Sequence, residues 1–239
     1  MNRLFTATEF EFRYRFWMIG LIFSLGFWLY QFDHLNVVQV LIDHTVGHDS
    51  PRAGLVARAA FGFGALCVLA AALFRTWAAA YLRSEVVQDL GLHAETVVAD
   101  GPYRHTRNPL YVGSMLIGIG FGFLASREGF IVIVVGMAIF FLRLIGLEEN
   151  LLRRERGDSF RAYCERVPRL LPALSPRVPG TGLEPRWGQA FIGEAFVWAF
   201  FLAAAAFAVT LDVRATWAII GLVLIVYAVR TVMAVRKKT

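Results

Sequence analysis

Six long apolar stretches constrain this chain more than any other feature. They run roughly over residues 14–32, 56–77, 109–125, 129–147, 190–211 and 215–235. A helix needs about 20 mostly apolar residues, range about 17–25, to cross the hydrocarbon of a bilayer. Each stretch is of that order. The 239 residues are 57% hydrophobic, with mean hydropathy +0.56 and 21 phenylalanines. A single soluble core would have to hide all of that surface, whereas a bilayer solvates it directly. The expected fold is all-α: a polytopic transmembrane helix bundle of about six spans. The first stretch reads as a retained anchor. Glu9 and Glu11 sit where a secretory leader is positive, and no small-residue cleavage site falls between Tyr30 and Asp33.

Charge gives the orientation. With six spans and a cytoplasmic N-terminus, 20 of the 24 Lys and Arg residues fall on the cytoplasmic side. Nine of them lie from Arg143 to Arg186. The other side holds Arg52, Arg58, Arg127 and Arg214. This is the positive-inside pattern, with both termini cytoplasmic, as in a bacterial-type inner membrane. It accounts for the net charge of +6 without a nucleic-acid partner. Arg143 and Arg230 interrupt apolar stretches near their ends, where long side chains can snorkel. Cys67 and Cys164 lie in unlike surroundings and suggest neither a disulfide nor a metal pair.

Stretches three and four form a helical hairpin, joined by a turn around 126–129. Polar segments 83–108 and 148–187 flank it. This divides the chain into N-terminal helices (1–82), a hairpin core with its flanking segments (83–174), and a linker with a C-terminal helix pair (175–239). The first flank ends in Gly101-Pro-Tyr-Arg-His-Thr-Arg-Asn-Pro-Leu-Tyr-Val-Gly113. It reads as a turn feeding a helix, with Asn108 as N-cap and Pro109 in the first helical position. A helix start offers unpaired N–H groups and partial positive charge to an anion. It equally suits an ordinary capped span with interfacial Tyr and Arg. The second flank opens with Glu148 and Glu149, at the end of an apolar helix where carboxylates are disfavoured. Either the helix continues, with pairs such as Glu149–Arg153, or these acids meet a positive ligand.

Together the two flanks resemble the isoprenylcysteine carboxyl methyltransferases and the related phospholipid methyltransferases. That family pairs a Gly-x-Tyr turn and Arg-His-Pro-x-Tyr-x-Gly with a later block of fixed register. Here the later block is Glu148, Glu149, Leu152, Gly157, Phe160, Tyr163, Arg166, Val167, Pro168 and Pro172. The resemblance covers about residues 75–172. It implies a methyltransferase using S-adenosylmethionine (SAM), with the cofactor at the cytoplasmic ends of the hairpin. By the same resemblance SAM binding falls to Gln88, Thr96, Val97, Val98, Tyr103, Arg107, Asn108, Pro109, Leu110, Tyr111 and Glu148. Glu148 would hold the ribose hydroxyls or the amino group. Glu148 and Glu149 are the nearest proton acceptors, and Arg143 is the nearest counterpart of a family substrate contact. The implied acceptor is lipid-like or lipidated, reached from the bilayer. Asn108 replaces a family His, Arg156 a Phe and Phe160 a Tyr.

Other readings compete. Asn108 motivates a relative that has lost catalysis and serves as a membrane binding or scaffold protein. A small transporter would show repeated halves or paired broken helices, and the sequence has neither. Gly113, Gly118, Gly120 and Gly122 could open a path for the acceptor or pack helices closely. His44 and His48 with Asp43 and Asp49 read as an ordinary loop, so no metal is expected. Glu194 begins the fifth stretch, where an acid at membrane depth flags function. The last two helices could complete a lipid-facing wall or pair two copies of the chain.

Overall fold

The computed structural model describes residues 6–82, 99–216, 218–219 and 221–222. Within them the regular elements are helical. α1 is Glu9–Arg13, α2 Arg15–Trp28, α3 Val37–Thr45, α4 Ala53–Tyr81, α5 Pro109–Gly122, α6 Arg127–Arg166, α7 Trp187–Gly193 and α8 Ala195–Thr210. Short 3-10 turns follow α2 at Leu29–Gln31 and precede α5 at Gly101–Arg104. α4 and α6 are long and apolar enough to cross a membrane, and α7 with α8 make a third candidate bent by 59°. The helical class and membrane character expected from the sequence therefore stand. The sixth stretch lies mostly outside the described residues.

The elements pack in a row: α2 against α6, α6 against α5, α5 against α4, and α4 against α7 and α8. Bilayer helices gain little from hydrophobic burial against each other, so close backbone approach carries the packing. Two glycine crossings supply it. A Cβ on Gly120 would lie 2.6 Å from the Gly64 carbonyl oxygen, which ties α5 to α4. One on Gly129 would lie 2.2 Å from that of Gly26, tying α6 to α2. The other α5 glycines are equally filled, Gly113 by Arg75, Gly118 by Met137 and Gly122 by Phe130. These four glycines thus serve close packing.

The hairpin of α5 and α6 is present. Its turn is too tight to satisfy its own backbone, and residues 30–36 do so instead. The Asn36 amide donates to the carbonyls of Phe123 (3.1 Å) and Ala125 (2.9 Å), and the Tyr30 hydroxyl donates to that of Leu124 (2.8 Å). Ser126 caps α6 through the Gly129 N–H, and Asp33 pairs with Arg127 at 3.1 Å. α3 was not expected. Asn36 and Gln39 form its capping box, and it ends before Gly47, whose φ is +83°.

α5 has 14 residues, so at about 1.5 Å per residue it spans only ~21 Å. The N-terminus of α5 is where the two motif flanks meet.

Candidate active site

The first flank enters from residue 99. Gly101 has φ +55°, and a Cβ there would lie 2.4 Å from the Tyr81 ring, so glycine is required on both counts. Asp100 anchors the turn. Its carboxylate accepts from the Thr181 hydroxyl, from the Thr181 N–H (2.9 Å) and from the Leu183 N–H (3.2 Å). Burial pushes this carboxyl up, but the Thr181 and Leu183 donors outweigh it and hold the group below its ordinary range.

Between the 3-10 turn and α5 the backbone is irregular, and its polar groups need partners from elsewhere. The segment after α6 satisfies them in order. The Arg107 N–H donates to the Pro168 carbonyl, the Ala173 N–H to the His105 carbonyl, and the Arg177 N–H to the Arg104 carbonyl. The Thr106 hydroxyl, fully buried, donates to the Leu170 carbonyl at 3.0 Å. The two motif blocks are therefore zipped together along their length.

Glu149 locks them side to side. It is buried, and its oxygens lie 3.1 Å from Arg107, 3.3 Å from Arg169 and 3.6 Å from Arg153. Asn108 sits at the N-cap position but makes no side-chain cap. Its amide donates instead to the Arg169 carbonyl (3.0 Å) and, at 3.4 Å, to Glu149. This corrects the expectation that the Asn108 side chain caps α5. Pro109 has no N–H, so the Leu110 and Tyr111 N–H groups at the helix start are left without a side-chain cap.

Glu148 points elsewhere. It accepts from the Tyr111 hydroxyl at 2.8 Å, and Arg15 of α2 lies within electrostatic range. Burial, reinforced by the Glu148 charge, raises the Tyr103 phenol above its ordinary value, so Tyr103 acts as a donor rather than a base. The structure thus brings together Tyr103, the N-terminus of α5, Tyr111 and Glu148. Arg143 is not among them. It pairs with Glu11 of α1 at 2.8 Å and 3.2 Å. Gln88, Thr96, Val97 and Val98 lie outside the described residues.

Beyond Glu149, α6 continues as a helix until Gly157, whose φ of +52° and ψ of −126° break it. A Cβ there would meet nothing within 4 Å, so the demand for glycine is conformational. The break turns Phe160 and Tyr163 back onto the first flank. They pack with Ala99, Val167 and Tyr103, and the Tyr163 hydroxyl donates to the Tyr103 carbonyl at 2.7 Å.

Sequence reasoning missed three contributors. Arg169 and Asp100 carry no motif of their own, and their partners are remote in sequence. The third is Arg75, counted only as a cytoplasmic charge. It reaches across α5 to Ser114 (2.7 Å) and the Leu110 carbonyl (3.3 Å), and it is bound by Glu194.

Residues 59–158 match the phospholipid methyltransferase family, bearing out the resemblance seen in the motifs. The match covers most of α4, all of α5, and α6 through both glutamates. Curated relatives include a nickel-cobalt-cadmium resistance protein of Alcaligenes xylosoxydans xylosoxydans, 28% identical over 152 residues. They also include a cobalt-zinc-cadmium resistance protein of Cupriavidus metallidurans, 29% identical over 140 residues. The aligned regions cover 63% and 58% of this chain, and 65% and 61% of those proteins, just under two thirds of their length. Their names describe metal resistance and carry no reaction over to this chain. No solved structure matches.

Proposed function

We propose that this chain is an integral membrane methyltransferase that takes its methyl group from SAM and transfers it to a lipid-like or lipidated acceptor. One observation carries the reading. Inside the family-matched segment, the uncapped start of α5 and the half-buried Glu148, joined by the 2.8 Å Tyr111 hydrogen bond, face one site. These groups fit the two ends of a cofactor that carries both a carboxylate and an amine. The Leu110 and Tyr111 N–H groups suit the carboxylate. Glu148 suits the amino group or the ribose hydroxyls, with Tyr103 and Tyr111 as neighbouring donors. Gln88, Thr96, Val97 and Val98 would complete the enclosure.

When bound, SAM supplies a methyl group activated on a sulfonium. The chain's part is to hold the reacting atoms in line and to keep water out. A carboxylate acceptor needs no base, because it is ionised near neutral pH. An amine or hydroxyl acceptor would give its proton to a nearby carboxylate, and Glu148 is the one placed for it. Glu149, held by three arginines and an amide, is a positioning residue.

The short α5 supports a lipid-like acceptor. At ~21 Å it falls short of the ~30 Å of a bilayer's hydrocarbon, so at least one of its ends would lie within the membrane, where a lipid-like acceptor is at hand. Six spans, cytoplasmic termini and an inner-membrane location complete the reading, with SAM entering from the cytoplasm. Pairing of two copies through the C-terminal helices belongs to it as well. Asn108 does not argue for a relative without catalysis. Its amide binds Glu149 and a carbonyl, which calls for hydrogen bonds and not for a titrating group.

The test is transfer of labelled methyl from SAM to extracted membrane lipids by the purified chain in detergent, with Glu148→Gln as control. Labelling that disappears in the variant is expected. A chain that neither binds S-adenosylhomocysteine nor labels any lipid would overturn the proposal.

A further inference from the structure

Glu194 lies outside the family-matched segment, at the bend between α7 and α8, and is buried to 7% exposure. Its two oxygens take Arg75 bidentately, at 2.7 Å from Nε and 3.0 Å from Nη2. The remaining nitrogen of Arg75, Nη1, donates to Ser114 at 2.7 Å and to the Leu110 carbonyl at 3.3 Å. Ser114 also donates to that carbonyl, at 3.0 Å. The path between the helices exists only because residue 113 is glycine, since a Cβ there would stand 2.3 Å from Arg75 Cγ. Next to this pair, the Trp198 indole donates to Thr76 at 3.0 Å, fixing α8 to α4 beside it.

Each group in this chain is spent on the next one. All three nitrogens of Arg75 have partners, which engages four of its five N–H hydrogens and leaves one on Nη2. What it grips is the first turn of α5, the turn whose Leu110 and Tyr111 N–H groups face the site and whose Tyr111 reaches Glu148. An arginine fork held at two points fixes orientation as well as charge. An ion pair at this depth costs desolvation, which favours its retention for a purpose other than stability.

We infer that Glu194 is a positioning residue for the cofactor site, acting through Arg75 on the first turn of α5, and that the C-terminal helix pair is thereby a working part of the site. This rests on the proposed cofactor site at that turn. The bend at Glu194 brings its carboxylate level with Arg75. The residue therefore belongs to the site's support and not to a lipid-facing wall.

The test measures S-adenosylhomocysteine binding by calorimetry on the full-length chain in detergent, with thermal unfolding recorded on the same samples. Three variants are compared with the unaltered protein: E194Q, E194D and the paired R75M/E194M, which removes both charges and leaves none buried alone. E194Q and R75M/E194M should each weaken binding by roughly tenfold, the scale on which loss of an orienting partner acts. E194D, which keeps the charge, should recover part of it. In R75M/E194M this weakening should appear without a matching loss of thermal stability. If the folded E194Q binds as tightly as the unaltered chain, the inference is overturned. Should E194Q not fold, R75M/E194M decides alone, and unaltered affinity there overturns the inference. An unaltered chain that binds no S-adenosylhomocysteine overturns the methyltransferase reading, and the inference falls with it.

Discussion

Glu148 and Glu149 are adjacent, yet a helix turns about 100° between neighbours, and the two carboxylates enter different surroundings. Glu149 is bound by three guanidinium groups and buried to 4% exposure. Removing its charge leaves Arg107 and Arg169 without their counter-charge, a loss on the order of 3–5 kcal/mol. Glu149→Gln should therefore lower the unfolding temperature clearly. Glu148→Gln should leave that temperature nearly unchanged and abolish S-adenosylhomocysteine binding. Equal effects of the two substitutions in paired unfolding and binding measurements would contradict this division. The sequence makes the acidic pair visible, and the Glu149–Arg153 pairing with it. It does not show the division, because Arg107 and Arg169 reach Glu149 from segments on either side of the hairpin. Gly157 is easier to rationalise afterwards. At φ +52° and ψ −126° any residue with a Cβ is strained, and Gly157→Ala should cost about 1–3 kcal/mol in chemical unfolding. Open space around it removes steric collision as a competing explanation.

At the scale of elements, the helices were legible and their ends were not. The apolar stretches foretold α2, α4, α5 and α6 as helices, of which only α4 and α6 are long enough to cross a bilayer. The fifth stretch reads as one continuous span, and the structure breaks it at Glu194. No proline marks the break, and the partner that draws Glu194 inward lies 119 positions away. The strap along residues 168–183 was equally hidden, since its bonds are mostly to backbone carbonyls, which no side-chain pattern records. Its anchor can be tested by pH. Asp100 is held below its ordinary pKa by Thr181 and Leu183, so its contribution is fully present above the unfolded value of about 3.9. That contribution is lost as pH falls through the lower folded value. Asp100→Asn should cost about 1–2 kcal/mol and by the same amount from pH 8 to pH 5. The gap between variant and unaltered protein should close only below about pH 4. A gap that closes near neutral pH would show that another group governs the strap.

For the whole molecule, the charge pattern and the site must agree on a side of the membrane. The site lies where α5 begins and α6 turns polar, and it is held by the strap. The linker beyond the strap leads to Arg186, whose N–H donates to the Ala80 carbonyl near the end of α4. The opposite end carries the hairpin turn, α3 and the loop before α4, which includes Asp49. On the proposed topology, positive-inside placement puts the first end in the cytoplasm. A soluble methyl donor made in the cell would then reach the site without crossing the bilayer. The two ends can be told apart by labelling. In a chain with Cys67 and Cys164 replaced by alanine, a cysteine placed at the exposed Asp49 should react with a membrane-impermeant maleimide on intact spheroplasts. One placed at the exposed Ser175 should react only after lysis. The reverse pattern would put the site outside and break the link between charge distribution and function. It would also remove the reason for a site on the side where eight of the 24 basic residues gather between the fourth and fifth stretches.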